Sequence, residues 1–316
     1  MNEKILFLDK AHPVLEEKLT AMGILSEVDT TSTKEQIMVK LPDYQGIVMR
    51  SRLTLDPVFI DRGTNLRFIA REGVGLEHIP VHYAESKGIK VLISPEGSRD
   101  TVAEHAVGML LMLLNNLSRA NHQVKNNIWE REANRGTELM GMTVGIIGYG
   151  NMGSAFAKRL TGFGVRVVAY DKYKSGYGDE FATEVSLEKL QEMADVVSLH
   201  IPFMHGNLHF LNDALISGFK KDIFVLNTAR GLVLNTADLV SHLKTGKVRG
   251  AALDVLEYED QSFDKFSLDQ LPDDFKYLQE ADNVMLTPHI AGWSFESKRK
   301  HGEVLAEKIK SILNQP

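Results

Sequence analysis

The fold is decided by the stretch Val144-Gly145-Ile146-Ile147-Gly148-Tyr149-Gly150-Asn151-Met152-Gly153. An apolar strand here runs into three glycines in the spacing G-x-G-x-x-G, and a helical pattern follows as far as Phe163. Gly148 permits a tight turn, Gly150 lets the backbone approach a pyrophosphate, and Gly153 allows close helix–strand packing. Asn151 and Met152 begin the helix, whose N–H groups and positive dipole end favour phosphate oxygens. The stretch therefore predicts a dinucleotide-binding turn.

The next apolar strand ends in Asp171, about 20 residues after the glycine turn. A carboxylate at this place bonds the hydroxyls of the adenine ribose and repels a 2′-phosphate. The sequence therefore predicts NAD rather than NADP as the cofactor. Lys172 and Lys174 stand close by and would favour a 2′-phosphate, but we interpret them as part of a solvated loop.

Short apolar runs alternate with amphipathic stretches on both sides of the glycine turn. The predicted strands are Ile5–Asp9, Gly46–Arg50, Leu66–Arg71, Lys90–Ile93, Thr143–Gly148, Arg166–Asp171, Val196–His200, Ile223–Asn227, Gly250–Val255 and Asn283–Thr287. The predicted helices are Pro13–Met22, Val102–Gln123, Gly153–Phe163, Leu187–Met193, Ala237–Gly246 and Glu296–Leu313. Apolar runs without polar alternation are typical of strands buried on both faces. The order strand, helix, strand predicts an α/β protein with parallel sheets.

The length of 316 residues predicts two domains. The long helical pattern Val102–Gln123 and the polar arm Lys125–Arg135 separate two βα blocks. Such a helix and arm connect two domains or pack against another subunit. We expect the amphipathic segment Glu296–Leu313 to return to the first block, which makes the first domain discontinuous in sequence.

The composition excludes several classes of protein. The chain is 43% hydrophobic and 25% charged, as in ordinary globular proteins, and its net charge of -6 argues against nucleic acid as a partner. The absence of cysteine excludes disulfides, thiolate metal sites and a cysteine nucleophile. The apolar runs Ile5–Leu8 and Ala106–Leu114 are too short for a signal-peptide core and for a membrane span respectively. We expect a cytoplasmic protein with no membrane partner.

Three strand ends in the second block carry polar side chains suited to acid–base chemistry. Arg230 follows the strand Ile223–Asn227, Asp254 and Glu259 come at and after the end of the next, and His289 follows the last. In open α/β sheets ligands bind at the carboxyl ends of the strands. A histidine titrates close to neutral pH and suits a general acid or base. A carboxylate orients such a ring, and a guanidinium clamps a substrate carboxylate and polarises its carbonyl.

Taken together, these motifs resemble the D-isomer-specific 2-hydroxyacid dehydrogenases over nearly the whole chain. The matching segments are Arg50-Ser51, Arg71–Leu76, Val102–His105, Gly148–Gly153 with Asp171, Asn227–Gly231, Ala252–Val255 with Glu259, and Thr287–Gly292. The chain departs from the family near Met204, where a small hydroxyl residue is common in the loop beside the cofactor.

The resemblance implies two Rossmann/flavodoxin-like parallel-sheet domains with an active-site cleft between them. The first would bind substrate and comprise residues 1–98 and 293–316, and the second, residues 99–292, would bind NAD and carry the dimerisation helix and arm. The implied catalytic set is Arg230, Glu259 and His289, and no metal is expected. The expected cofactor-binding residues are Gly148, Gly150, Asn151, Met152, Gly153, Asp171, Thr228, Ala229, Asp254 and Gly292. The expected substrate-binding residues are Arg50, Ser51, Arg71, Gly73, Val74 and Gly75, the last three as backbone N–H donors to the substrate carboxylate.

Within the family the sequence motifs are most similar to those of D-3-phosphoglycerate dehydrogenases without a regulatory domain. Arg50 and Arg71 are the candidate partners of a substrate phosphate, although Arg71 would also suit a structural ion pair with Glu72 or Asp61. Since the sequence stops at Pro316, we expect no serine-binding regulatory domain and no feedback inhibition through one. Glyoxylate or hydroxypyruvate reduction is the alternative within the family, and an NAD-sensing, corepressor-like binding protein is the alternative outside it. The resemblance also implies a homodimer, or a tetramer built from it.

Several histidines and one tryptophan stand outside the predicted site. His205 and His209 have the spacing of a metal pair on a helix, but Pro202 and Gly206 favour a solvated loop instead. We interpret His78 and His82 as structural or surface residues, leave His200 unassigned, and expect Trp129 to anchor an interface.

Overall fold

The computed structural model describes residues 3–259 and 272–314. The chain divides into two compact units, Met1–Ser98 with Trp293–Pro316 and Arg99–Gly292. Each unit is built on a parallel sheet, as predicted, and the two-domain α/β fold class is confirmed.

The strands and helices follow one another along the chain in the expected α/β alternation. The strands are β1 (Lys4–Phe7), β2 (Leu25–Val28), β3 (Gly46–Met49), β4 (Phe68–Arg71), β5 (Lys90–Ile93), β6 (Thr143–Ile147), β7 (Arg166–Tyr170), β8 (Thr183–Glu184), β9 (Val196–Leu199), β10 (Ile223–Asn227), β11 (Val248–Leu253) and β12 (Val284–Leu286). The helices are α1 (Pro13–Ala21), α2 (Lys34–Lys40), α3 (Pro57–Arg62), α4 (Val81–Ser86), α5 (Pro95–Leu114), α6 (Leu117–Lys125), α7 (Asn151–Arg159), α8 (Leu187–Met193), α9 (Asp213–Gly218), α10 (Thr236–Thr245), α11 (Asp273–Glu280) and α12 (Phe295–Leu313).

The first unit contains a five-stranded parallel sheet in the order β2-β1-β3-β4-β5. Its two faces are covered by separate apolar clusters, because successive side chains of a strand point to opposite faces. Leu6, Leu8 and Ile47 belong to one cluster, and Ile5 and Phe7 to the other. The C-terminal helix α12 adds Leu305, Ala306 and Ile309 to that second cluster, and the end of the chain therefore completes the first unit.

The second unit contains a seven-stranded parallel sheet in the order β12-β11-β10-β9-β6-β7-β8. The order reverses direction between β6 and β9, which pair directly through Val144–Val196 and the residues that follow. In doubly wound sheets the crevice at this reversal is the place where ligands bind. The glycine turn follows β6 and therefore lies at that crevice. Because β10, β11 and β12 are parallel neighbours, their carboxyl ends lie along one edge of the sheet.

The predicted long helix Val102–Gln123 is wrong in one respect, because the structure divides it into α5 and α6. Asn116 separates them with a φ of 52°, in the left-handed region that asparagine tolerates better than most residues. Leu117 and Val124 of α6 are about half exposed. No helix in the described part of the chain is long and apolar enough to cross a membrane.

Candidate active site

The three glycines of the turn after β6 are each required for a different structural reason. Gly148 has a φ of 95°, and a Cβ there would lie 2.6 Å from the carbonyl oxygen of His200. A Cβ on Gly153 would lie 2.1 Å from the carbonyl oxygen of Gly148. A Cβ on Gly150 would meet no atom within 4 Å. The first and third glycines therefore serve the packing of the turn, and the second opens a space for a ligand.

The amino end of α7 has the character of an anion cradle. Its N-cap is Gly150, which has no side chain to accept a hydrogen bond from the first N–H groups of the helix. By contrast, Asn235 caps α10 and Ser294 caps α12 with a side-chain oxygen. The uncapped N–H groups at Asn151 and Met152 suit a pyrophosphate, which is the role expected from the sequence.

Asp171 is fixed at the end of β7 by the glycine turn itself. Its Oδ2 accepts a hydrogen bond of 2.9 Å from the backbone N–H of Tyr149, and its Oδ1 accepts one of 3.0 Å from the N–H of Tyr173. Each carboxylate oxygen keeps a second lone pair for a ribose hydroxyl. The carboxylate is therefore already oriented for a dinucleotide.

Lys174 lies exposed in a loop, as interpreted from the sequence, and it is also bonded to the glycine turn. Its ammonium group donates a hydrogen bond of 3.0 Å to the carbonyl oxygen of Tyr149. This lysine therefore places a positive charge directly beside the glycine turn. The Asp171 carboxylate and the Lys174 ammonium act in opposite directions on a 2′-phosphate.

Replacing Asp171 with alanine should weaken NAD binding by about tenfold, the loss of one charge-assisted hydrogen bond. The binding of NADP should change less or improve, because the repelling carboxylate is gone and Lys174 remains. Fluorescence titration with NADH and NADPH measures both changes. Equal NADH affinity in the wild type and the variant would contradict the role of Asp171.

His289 and Glu259 form a bonded pair beyond the ends of β11 and β12. Nδ1 of His289 lies 2.6 Å from Oε2 of Glu259, and both side chains are largely buried. A carboxylate at this distance assigns the proton to Nδ1 and leaves Nε2 as the nitrogen for proton exchange with a substrate. His289 also has a φ of 54°, so the loop presents the ring in a fixed, left-handed conformation.

Asp254 is buried, and its carboxylate is hydrogen-bonded within the second unit. Its side chain is 1% exposed. One carboxylate oxygen accepts hydrogen bonds from the Thr287 hydroxyl and the N–H of Ile290, and the other from the N–H of Ala291. The cofactor contact expected from the sequence stays a prediction. The carboxylate fixes the loop that carries His289.

Arg230 stands on a turn that is held by the buried amide of Asn227. Oδ1 of Asn227 accepts the N–H of Ala229 at 3.0 Å, and Nδ2 donates to the carbonyl oxygen of Arg230 at 3.1 Å. The hydroxyl oxygen of Thr228 is buried, and it has no hydrogen-bond partner within the described chain. A buried polar atom of this kind suits a bound polar ligand. Thr228 and Ala229 thus remain candidate cofactor contacts, and Gly292 lies half-buried after the His289 loop.

The candidate substrate residues of the first unit lie at the ends of β3 and β4, which are neighbours in its sheet. Arg50 and Ser51 follow β3 and are partly exposed. The guanidinium of Arg71 lies against the turn at Gly73, where an added Cβ would meet its Nη1 at 1.6 Å. Arg71 also donates to the carbonyl oxygen of Glu72 at 3.3 Å. Asp61, the other suggested partner, pairs instead with Lys87.

One backbone donor of the Gly73–Gly75 turn is already used. The N–H of Gly73 donates to the hydroxyl oxygen of Ser94 at 3.2 Å, and that hydroxyl bonds Nδ1 of His301 at 2.7 Å. Burial lowers the pKa of His301 to about 4, so its ring is neutral near pH 7. The expectation that Gly73 donates to a substrate is therefore wrong, whereas Val74 and Gly75 have no backbone acceptor among the described residues.

The sequence offered Glu72 only as an ion-pair partner of Arg71, whereas the structure buries its carboxyl beside Arg50. Its Oε1 accepts the N–H of His12 at 3.0 Å, and its Oε2 lies 3.9 Å from Nε of Arg50. Burial raises the pKa of this carboxyl above its ordinary value. The guanidinium of Arg50 also lies 5.7 Å from the ring centre of Trp293. The signal that could have predicted this burial is the position of Glu72 directly after a strand end, between Arg71 and the glycine turn.

Three further histidines are held by contacts or by burial that the sequence did not show. His209 is paired with Glu257, although most of its segment is exposed, as interpreted from the sequence. His200 is buried against Phe156 and bonds the Ser198 hydroxyl, and burial lowers its pKa to about 4. His78 is buried as well. Among the described residues no cluster of histidine and carboxylate side chains could hold a metal ion.

A match to a protein family indicates which reaction class and which cofactor belong to this chain. The model described as "D-isomer specific 2-hydroxyacid dehydrogenase, NAD binding domain" matches residues 107–291. The chain belongs to the D-isomer-specific 2-hydroxyacid dehydrogenase family. As a member of this family it is an oxidoreductase that uses NAD, which confirms both the enzyme class and the cofactor expected from the sequence.

Relatives of this dehydrogenase carry different substrate names. A hydroxypyruvate reductase from Thermotoga maritima is 37% identical over 90% of this chain and 90% of its own length. A D-3-phosphoglycerate dehydrogenase from Archaeoglobus fulgidus is 34% identical over 96% of this chain, but the match spans only 56% of that protein. The structure of a D-lactate dehydrogenase from Aquifex aeolicus, complexed with NAD and lactic acid, matches with a TM-score of 0.81 and 29% identity, over 98% of this chain and 95% of that one. The three names refer to hydroxypyruvate, D-3-phosphoglycerate and D-lactate, so they do not agree on one substrate.

Proposed function

We propose that the enzyme interconverts D-3-phosphoglycerate and 3-phosphohydroxypyruvate. The observation that carries this proposal is the pair of guanidinium groups, Arg50 and Arg71, at neighbouring strand ends beside the Gly73–Gly75 turn. A phosphate needs cationic donors of this kind, and a short acid such as glyoxylate does not. In this proposal the first unit recognises the substrate, and the second holds NAD and the reacting groups.

His289 is the proposed acid–base catalyst. During oxidation its Nε2 takes the proton of the substrate hydroxyl, and the hydrogen bond from Nδ1 to Glu259 stabilises the imidazolium that results. Bound NAD supplies the hydride acceptor for oxidation, and NADH the donor for reduction. Arg230 binds the substrate carboxylate and draws electron density from the reacting oxygen. The proposed roles need one proton and one hydride, and no metal.

Hydroxypyruvate reduction is the second candidate, and a specific observation favours it. The hydroxypyruvate reductase relative is 37% identical to this chain, and the phosphoglycerate dehydrogenase relative is 34% identical. The buried carboxyl of Glu72 also lies close enough to Arg50 to reduce the positive charge offered to a phosphate. Arg71 then becomes the residue that separates the two candidates.

Steady-state kinetics with a panel of acids tests the proposal. We expect kcat/KM with NAD to be at least about tenfold higher for D-3-phosphoglycerate than for D-glycerate, because the phosphate gains charge-assisted bonds. Good turnover of hydroxypyruvate or glyoxylate with NADH, and none of the phosphorylated pair, would establish the second candidate instead. Tight NADH binding without turnover of any acid would favour an NAD-sensing binding protein.

We also propose that the enzyme is a homodimer, paired through α6 and the arm that follows it. This part of the second unit exposes Leu117, Val124, Ile128 and Trp129, the last of them 77% exposed. A monomer seldom leaves so many large apolar side chains together in water. Light scattering should give twice the chain mass of 35.3 kDa, and Trp129→Arg should shift the mass toward one chain. A monomeric wild type at micromolar concentration would overturn the proposal.

A further inference from the structure

The carboxylate of Glu257, two residues before Glu259, connects separate loops of the second unit. Its Oε1 lies 2.5 Å from Nε2 of His209, which stands in the segment after β9. Its Oε2 accepts the N–H of Thr236, the first residue of α10, at 2.7 Å. The side chain is mostly buried, so both bonds lie where water competes weakly.

The bond to Thr236 fixes the segment that carries Arg230. This segment and the loop after β11 also touch backbone to backbone, because a Cβ on Gly231 would lie 2.0 Å from the carbonyl oxygen of Leu256. The N–H of Leu256 in turn donates to Oε1 of Glu259. A displacement of this loop would therefore move the carboxylate that orients His289.

His209 is itself held in place on the other side of the pair. Its backbone N–H donates to the carbonyl oxygen of Leu232 at 2.9 Å, and its φ is 49°. The backbone N–H of Leu211 donates to the carbonyl oxygen of Val233 at 3.0 Å, which docks the same segment on the residues after Arg230. The imidazole of His209 thus bonds Glu257 from a backbone that is itself fixed by hydrogen bonds.

We propose that His209 and Glu257 are a positioning pair for the hydride-transfer reaction. The pair holds the Arg230 turn and the Glu259 loop in register, so that both meet the substrate together with His289. This inference rests on the roles proposed above for Arg230 and Glu259. Neither member of the pair touches the reacting atoms in this scheme, and both act through the loops that they join.

Substitution of Glu257 by glutamine keeps its size and removes its charge. The amide holds His209 and Thr236 less firmly, because a hydrogen bond to a charged group is about twice as strong as a neutral one. We expect kcat to fall by about tenfold, since small errors in the alignment of reacting groups cost that much or more. The KM for NAD should stay within about twofold, because the glycine turn and Asp171 lie on other loops.

The pH dependence of keto-acid reduction separates positioning from loss of stability. Reduction needs a protonated His289, and a misplaced Glu259 stabilises the imidazolium less. The pH at which kcat is half lost should therefore move downward in Glu257→Gln, in the same direction as in Glu259→Gln and by a smaller amount. His209→Asn should give the same change, and the double variant should lose no more than either single variant.

His242→Asn is the matched control, because His242 of α10 pairs at 2.9 Å with Asp213, the first residue of α9, and not with the loop that carries Glu259. Its pH profile and kcat should equal those of the wild type at temperatures where every variant is folded by circular dichroism. An unshifted pH profile in Glu257→Gln, with Glu259→Gln shifted, would overturn the positioning role and leave the proposed active site intact. Wild-type kinetics in Glu259→Gln would instead show that the proposed site is wrong.

Discussion

Replacing His289 with asparagine should lower kcat by roughly two to four orders of magnitude, the usual contribution of a general acid–base catalyst. Asparagine tolerates the positive φ of this position better than most residues, so the backbone of the loop should persist. NADH should bind with nearly unchanged affinity, since the glycine turn after β6 is untouched. Stopped-flow single turnovers, together with NADH fluorescence titration, measure the two quantities separately.

Glu259→Gln is the companion variant to His289→Asn and should be milder. The amide still accepts a hydrogen bond from Nδ1 of His289 but does not stabilise the charged ring as a carboxylate does. The low-pH limb of the rate of hydroxy-acid oxidation should therefore move to lower pH. Near-normal turnover in His289→Asn would mean that another group transfers the proton.

Replacing Arg71 with alanine should raise the KM for D-3-phosphoglycerate by roughly ten- to a hundredfold. One charge-assisted bond to a phosphate contributes about 1.5–3 kcal/mol, which corresponds to this range. The KM for glyoxylate should hardly change, because glyoxylate has no distal phosphate. The comparison of the two substrates within one variant cancels any general loss of active protein.

Arg62→Ala is the control for the Arg71 experiment. Arg62 is an exposed cation at the end of α3, so its removal changes the net charge of the first unit equally. Its KM values should match those of the wild type for both acids. Equal damage to both substrates in Arg71→Ala would show that the arginine supports the Gly73 turn rather than a phosphate.

The strands were predictable where they are buried on both faces. The ten predicted strands all appear, with ends displaced by two residues or fewer. The missed strands β2 and β8 lie at sheet edges, and their side chains are exposed, so no apolar run marks them. Short helices such as α2 were missed for want of a long apolar stripe. The capping box of Thr33 and Gln36 was the available signal.

The residues of the site were predictable where they follow the end of a predicted strand. Arg230, Glu259 and His289 follow three neighbouring parallel strands, whose order a βα pattern implies. The contacts that the sequence did not predict concern polar groups that the protein satisfies internally. The Asp254 carboxylate and the N–H of Gly73 look available in sequence, but Ala291 and Ser94 occupy them from more than 20 residues away. Hydrogen-bond partners that are so distant along the chain leave no periodic pattern in the sequence.

The placement of α12 on the first sheet has a consequence for biosynthesis. Domains usually fold in the order in which the ribosome makes them, beginning at the amino end. Here Ile5 and Phe7 remain without the cover of Leu305 and Ile309 until α12 has been translated, and α12 follows every element of the second unit. The second unit is therefore the first that can be completed on the nascent chain. During that interval the earlier strands depend on chaperones, or on their own partial structure, to avoid association with other chains.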